Sequence, residues 1–249
     1  MTLSARMRWG PVAVLACAAV LHASDKKDNP KPAASQMVDS GSFGVFVKGQ
    51  RVVTENFSVQ QDNGISIVKS QLKETARPTT AGQRSELQMT NSGELVRYQW
   101  TDGSGSLVVT PNNEFLLEKI TTAASSKPAE RPFLMPSTAA ILDNNFFVHR
   151  QVLAWRYLAT NCHTENGTQK CLQGALDFAV LVPQDQTSMS VRMELAGREK
   201  ITIRGTEREL LRLNLKGEAF SWALWVDEKD QFKLMRVLIT DDNTEVVRD

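Results

Sequence analysis

The sequence predicts a mainly β protein: a curved antiparallel meander, a half-barrel, wrapped around one central helix. Three observations carry this. From Phe43 onward, short runs of alternating apolar and polar residues are separated by Gly, Asn, Asp and Pro, the pattern of half-buried strands joined by tight turns. A single stretch, residues 136–158 (PSTAAILDNNFFVHRQVLAWRYL), carries a helical period, and its apolar residues nearly encircle it. A helix that is apolar on almost every side needs enclosing protein, and the strands supply a concave surface to receive it.

In chain order, residues 1–23 read as a secretory signal peptide. Arg6 and Arg8 precede an apolar run from Trp9 to Leu21 that is too short to span a membrane as a helix. Cleavage is expected after Ala18 or Ala23, and either removes Cys17. A lipid anchor at Cys17 is disfavoured, because bulky Leu15 stands where a small residue is expected. The mature chain is thus expected to be exported, to the periplasm or outer envelope. The full chain has 29 basic and 28 acidic residues, so the balance without Arg6 and Arg8 stays near zero. Phosphate-backbone affinity needs clustered positive charge, which argues against nucleic acid as a partner. Residues 24–41, polar and without a period, read as a flexible leader, and residues 42–249 as one β half-barrel domain.

Within that domain, hairpins are expected at Gly49, at Asn63-Gly64, at Ser92-Gly93 and at Pro111-Asn112-Asn113. The third would set Leu87 opposite Tyr98 and Met89 opposite Val96, apolar pairs on one face. About seven antiparallel strands result. Residues 121–136, with three prolines, read as a crossover loop leading to a helix near 137–158 that opens at Asn145 behind an Asn144 N-cap. Six further strands follow, from GALDFAVLVP to QFKLMRVLI. Trp225 falls on the outer face of its strand, either covered by a neighbouring strand or loop or open as a binding surface.

Candidate chemistry is sparse. Cys162 and Cys171 flank Asn166-Gly167 symmetrically. A two-residue turn there makes them face each other at a non-hydrogen-bonded position, where a disulfide closes. Cys162, His163 and Cys171 lack a fourth ligand and paired metal-site spacing, so no metal and no cofactor are expected. Asn56 and Asn166 open N-x-S/T acceptor patterns. Hydrolase, P-loop and dinucleotide signatures are absent, and Ser66-Ile67-Val68-Lys69 falls on a strand, where residues three apart point to opposite faces. His149 is the one interior candidate for proton transfer near neutrality, since His163 is expected at the surface beside the disulfide. On the helix, Asn145, His149 and Arg156 form a narrow polar line. It is either a solvent-facing strip or a ligand site that holds an anionic head group at the mouth of an apolar hollow.

The segment ILDNNFF opening the helix and the closing run LWVDEKDQFKLMRV look like recurring elements of uncharacterised secreted bacterial families. More distantly, the element order over residues 43–249 resembles the half-barrel superfamily of periplasmic lipoprotein carriers. That resemblance implies a curved sheet around helices with a hollow for lipid or acyl chains, and it transfers no binding residue. Two functions are therefore expected: a non-enzymatic periplasmic protein binding an apolar ligand, or an assembly protein of the cell envelope acting through protein contacts. An enzyme ranks third.

Overall fold

The computed structural model describes residues 35–76, 82–125, 127–165, 168–172 and 174–249. The expected export signal lies outside these residues, as do the leader up to residue 34 and the turn at Asn166-Gly167. The first half is an antiparallel meander of β1 (Gln36–Val47), β2 (Gln50–Asp62), β3 (Ile65–Glu74), β4 (Arg84–Thr90), β5 (Leu95–Thr101), β6 (Gly105–Asn112), β7 (Phe115–Thr122) and β8 (Ala129–Phe133). After β9 (Ala140–Ile141) comes the helix α1 (Val148–Asn161), then a hairpin of β10 (Cys162–Glu165) and β11 (Thr168–Cys171). The second meander is β12 (Ala175–Val182), a 3-10 turn at Pro183–Asp185, β13 (Thr187–Ile203), β14 (Thr206–Lys216), β15 (Ser221–Asp227), β16 (Lys233–Ile239) and β17 (Thr244–Arg248).

One curved, open sheet results, in the order β8-β7-β6-β5-β4-β3-β2-β1-β17-β16-β15-β14-β13-β12-β9. The two meanders meet where β1 pairs antiparallel with β17, so the join lies mid-sheet and not at a linker. The sheet edges β8 and β9 are separated by only the six residues 134–139, and short contacts cross that seam. Arg131 of β8 donates to Gln186, just past β12, at 2.6 Å, and the connector itself is tied to β5, where the Leu95 amide donates to the Ser137 carbonyl at 2.7 Å. Pro132 in β8 removes a donor from that edge, which discourages pairing with another chain.

The helix fills the hollow. Its seven consecutive residues from Val148 to Ala154 are all buried, which requires protein on every side. Phe146, Leu153 and Tyr157 are at most 1% exposed, as the encircling apolar pattern predicts. Tyr157 pins the far end to β13, accepting from the Leu195 amide at 2.9 Å and donating to the Gly174 carbonyl at 2.5 Å. No helix among the described residues is long and apolar enough to cross a membrane.

Several expectations need correction. The leader does not reach residue 41: β1 begins at Gln36, because the β2 backbone offers partners and Asp39 finds an ion pair with Arg248 inside. The helix opens at Val148, not Asn145, and runs on to Asn161. Its first amides are taken by Glu55 from β2, whereas Asn144 turns away to Asp185 at 2.5 Å. Residues 121–136 contain β8, and β17 was not anticipated. A bulge sets Met89 opposite Leu95 rather than Val96, while Leu87 does face Tyr98. The turn between β6 and β7 lies one step further on, with Asn112 paired to Phe115.

Trp225 is covered, at 3% exposure. At Gly197 (φ +127°) β13 carries a bulge, and the tip beyond it packs Ile201, Ile203 and Leu210 against Ala223, Trp225 and Met235. Arg212 and Arg236 lie over the indole at 5.6 and 5.0 Å, and its Nε1 donates to Glu199 at 3.0 Å.

Cys162 and Cys171 are paired in register and bonded, with Cα atoms 4.0 Å apart. Such pairs persist in oxidising compartments. Reduction is expected to cost roughly 2 to 3 kcal/mol in the chain-entropy model and to leave the sheet intact. Thermal melts with and without reductant check this; an unchanged melting point would show that the hairpin contributes nothing.

Candidate functional site

Two regions of α1 carry polar groups into the hollow. At its start, Glu55 of β2 is fully buried and accepts from the Phe147 amide at 2.6 Å, the Val148 amide at 3.2 Å and Ser70 Oγ at 2.7 Å. A carboxylate here meets the free amides and positive end of a helix. Asp143 lies opposite, accepting from Tyr98 Oη, from Gln184 at 2.5 Å and from the Asn145 amide at 2.8 Å. Arg150, also fully buried, feels the charge of both carboxyls. It donates to the carbonyls of Asp143, Phe146 and Asn144 and stacks on Phe147 and Trp222 at 4.9 and 4.8 Å.

Burial dominates the protonation of this cluster. It pushes Glu55 up to about 7 against its hydrogen bonds and Arg150, raises Asp143, and brings Arg150 down to about 10. His149 is driven down to about 3, by burial and then by Arg150. It is therefore neutral near pH 7. Its Nδ1 accepts from the Asp143 amide at 3.3 Å, which places the proton on Nε2. Ser70 can serve Glu55 in either state. It donates to the ionised carboxylate; when Glu55 is protonated, Ser70 accepts a hydrogen bond from the carboxyl O–H and donates to the Asn56 carbonyl at 3.3 Å.

The sign of the pH effect follows. Glu55 binds its proton more tightly in the fold than at the ordinary 4.5, so its contribution is complete below pH 4.5 and is lost as pH rises through about 7. Glu118, likewise raised to about 7 by burial, acts in the same direction. His149 acts the opposite way, its contribution rising from about pH 3 to 6.5. Comparison with Glu55→Gln isolates the first group. The stability of the wild type relative to that variant is expected to fall by about 3 kcal/mol between pH 4.5 and 7. Urea melts across this range measure it, and a flat difference would mean that Glu55 titrates as an ordinary carboxyl.

The second region is a groove of about 400 Å³ between the later turns of α1 and strands β1–β4. Its floor is apolar: Val59, Val68, Met89, Val152, Trp155 and Phe178. Its rim is polar and uncharged: Gln61, Ser66, Thr90, Asn91, Ser92 and Thr160. Arg156 is the one ionisable lining residue, half-buried, and has no carboxylate within ion-pairing distance among the described residues. The guanidinium donates to the Thr138 carbonyl at 2.9 Å and lies over Phe178 at 5.7 Å. A second hollow, of about 480 Å³, lies over rungs of polar side chains such as Asn56, Gln71 and Arg84. Its Lys69 already pairs with Glu86 at 3.5 Å.

The predicted polar line is thus divided. Arg156 lines the groove. His149 is 1% exposed and borders only a void of about 10 Å³, so it is no solvent strip. Asn145 precedes the helix and donates to Gln83 at 2.8 Å. Glu55, Asp143, Arg150, Met89 and Phe178 were not anticipated as site residues. Compared with protein-family models, curated proteins and solved structures, the chain matches none.

Proposed function

We propose that the protein binds an amphipathic anion, with an apolar body against the groove floor and an acidic head at Arg156, and performs no chemistry on it. The observation that carries this is a single cation, without a carboxylate partner among the described residues, beside an apolar floor of ligand-binding size. The acids and His149 that chemistry would need are sealed in the helix-start cluster, and none of them lines the groove. The disulfide fits an exported protein, and a lipid or acyl compound of the envelope is the ligand class proposed. The alternative, an envelope assembly protein acting through protein contacts, is favoured by the extent to which the helix fills the hollow.

Titrating a fatty acid while following Trp155 fluorescence tests both. Arg156→Ala is expected to weaken anionic ligands by about 1.5 to 3 kcal/mol, as for a charge-assisted hydrogen bond, and to leave neutral lipids unchanged. Equal loss for both would remove Arg156 from the site, and no binding by the wild type would favour the assembly reading.

A further inference from the structure

The groove has a direction and an end. It crosses the strands rather than following them, since its lining comes from β4, β3, β2 and β1 in turn. Arg156 marks one end. It packs on Gly93, where an added Cβ would come within 3.2 Å of its Nε, so the β4–β5 turn fits closely under the guanidinium. The other end is marked by Val38, in the bulge of β1 between Met37 and Asp39, and by Trp155. The Trp155 indole is held by its Nε1 donating to the Phe232 carbonyl at 2.9 Å. Trp155 and Arg156 are consecutive on the helix and so project about 100° apart, toward opposite ends.

The inner side is closed. Val59 and Val68 are paired in one row, continued by buried Leu87 and by Asp39, which is locked to Arg248 at 2.6 Å and Gln151 at 2.7 Å. Behind Met89, Val152 and Arg156 only a void of about 10 Å³ remains. Toward the mouth the next row is polar on β2 and β3, with Gln61 paired to Ser66, and turns apolar on β4, where Ser66 pairs with Met89. Across β2 and β3 the apolar track of the sheet is therefore one residue wide, enough for one chain and not two.

We propose that the groove is a length-limited slot for a single alkyl chain of about ten to twelve carbons bearing an acidic head. This rests on the groove being a ligand site. Three interstrand spacings separate β4 from β1, about 14 Å. Carbon–carbon bonds of about 1.5 Å in an extended zigzag advance roughly 1.25 Å each, so about eleven span that distance. Carboxylate and phosphate heads share the chemistry that Arg156 recognises.

The test uses straight-chain carboxylates of six to sixteen carbons, the matching single-chain alkyl phosphates, and a two-chain phosphatidic acid, each titrated as monomers into the whole protein. Affinity is expected to rise about fourfold per methylene, the increment for burying one CH₂, and to level off near twelve carbons. The phosphate series separates the head-group sources: the series with the lower Kd at equal length names the head, and both break at the same length. The two-chain compound should bind no better than its single-chain counterpart. Val38→Trp, at a partly exposed position, should move the break to about nine carbons, whereas Arg156→Ala should lower every affinity and leave the break in place. A rise that continues to sixteen carbons, or a two-chain compound that binds tenfold better, overturns the slot and leaves the binding reading intact. Failure of every compound to bind overturns both.

Discussion

Replacing Arg150 with Met is expected to destabilise the protein by about 3 to 5 kcal/mol, the range for removing one partner from a buried charge cluster. Arg150 is 1% exposed, and its charge favours the ionised form of both Glu55 and Asp143. Methionine fills much of the volume over Phe147 and Trp222 but leaves three carbonyl acceptors without their donor and two buried carboxyls without the nearby positive charge. Urea denaturation followed through tryptophan fluorescence gives the cost. Adding Glu55→Gln should recover part of it, because one uncompensated acid is then gone, and this coupling separates an electrostatic loss from a packing loss. A cost below about 1 kcal/mol would mean that the cluster is not sealed.

Phe146→Ala is expected to cost a similar amount, about 3 to 5 kcal/mol, typical of truncating a buried aromatic. The ring is 0% exposed and lies 6.2 Å from the His149 ring at the entry to the helix. Its backbone carbonyl accepts from Arg150 at 2.8 Å, so a cavity at this point also loosens the cluster above. A melting temperature unchanged within error would show that the helix start does not bear on the sheet.

The hairpins and the enclosed helix were legible because their signals are local. Asn63-Gly64 sets its own turn, and an apolar surface all round α1 announces burial without naming what buries it. The groups that anchor the helix were not legible. Glu55 reaches the Phe147 amide across 92 residues, and nothing near either position records the other. β17 was missed because its four-letter core, TEVV, is too short to read as a strand until β1 and β16 flank it. The helical projection placed Asn145, His149 and Arg156 on one line, but it carries no information about depth within the curved sheet. Arg156 falls at the open groove, His149 in the sealed half, and Asn145 before the helix begins. Phe178 and Met89 join the groove only through sheet register, which residues far apart in the chain decide together.

The pairing of β1 with β17 imposes an order on folding. Each meander closes through neighbouring hairpins, whereas Asp39 and Arg248 must meet across 209 residues, a contact of very high sequence separation and so a late one. On a chain delivered in sequence order, the first meander waits with β1 as a bare strand edge until β17 arrives. Asp39 points inward from that edge, and an inward charge on an unpaired strand repels the wrong neighbour. Before Arg248 arrives, the same carboxylate guards the unfinished sheet; afterwards it is the anchor that holds the two halves together.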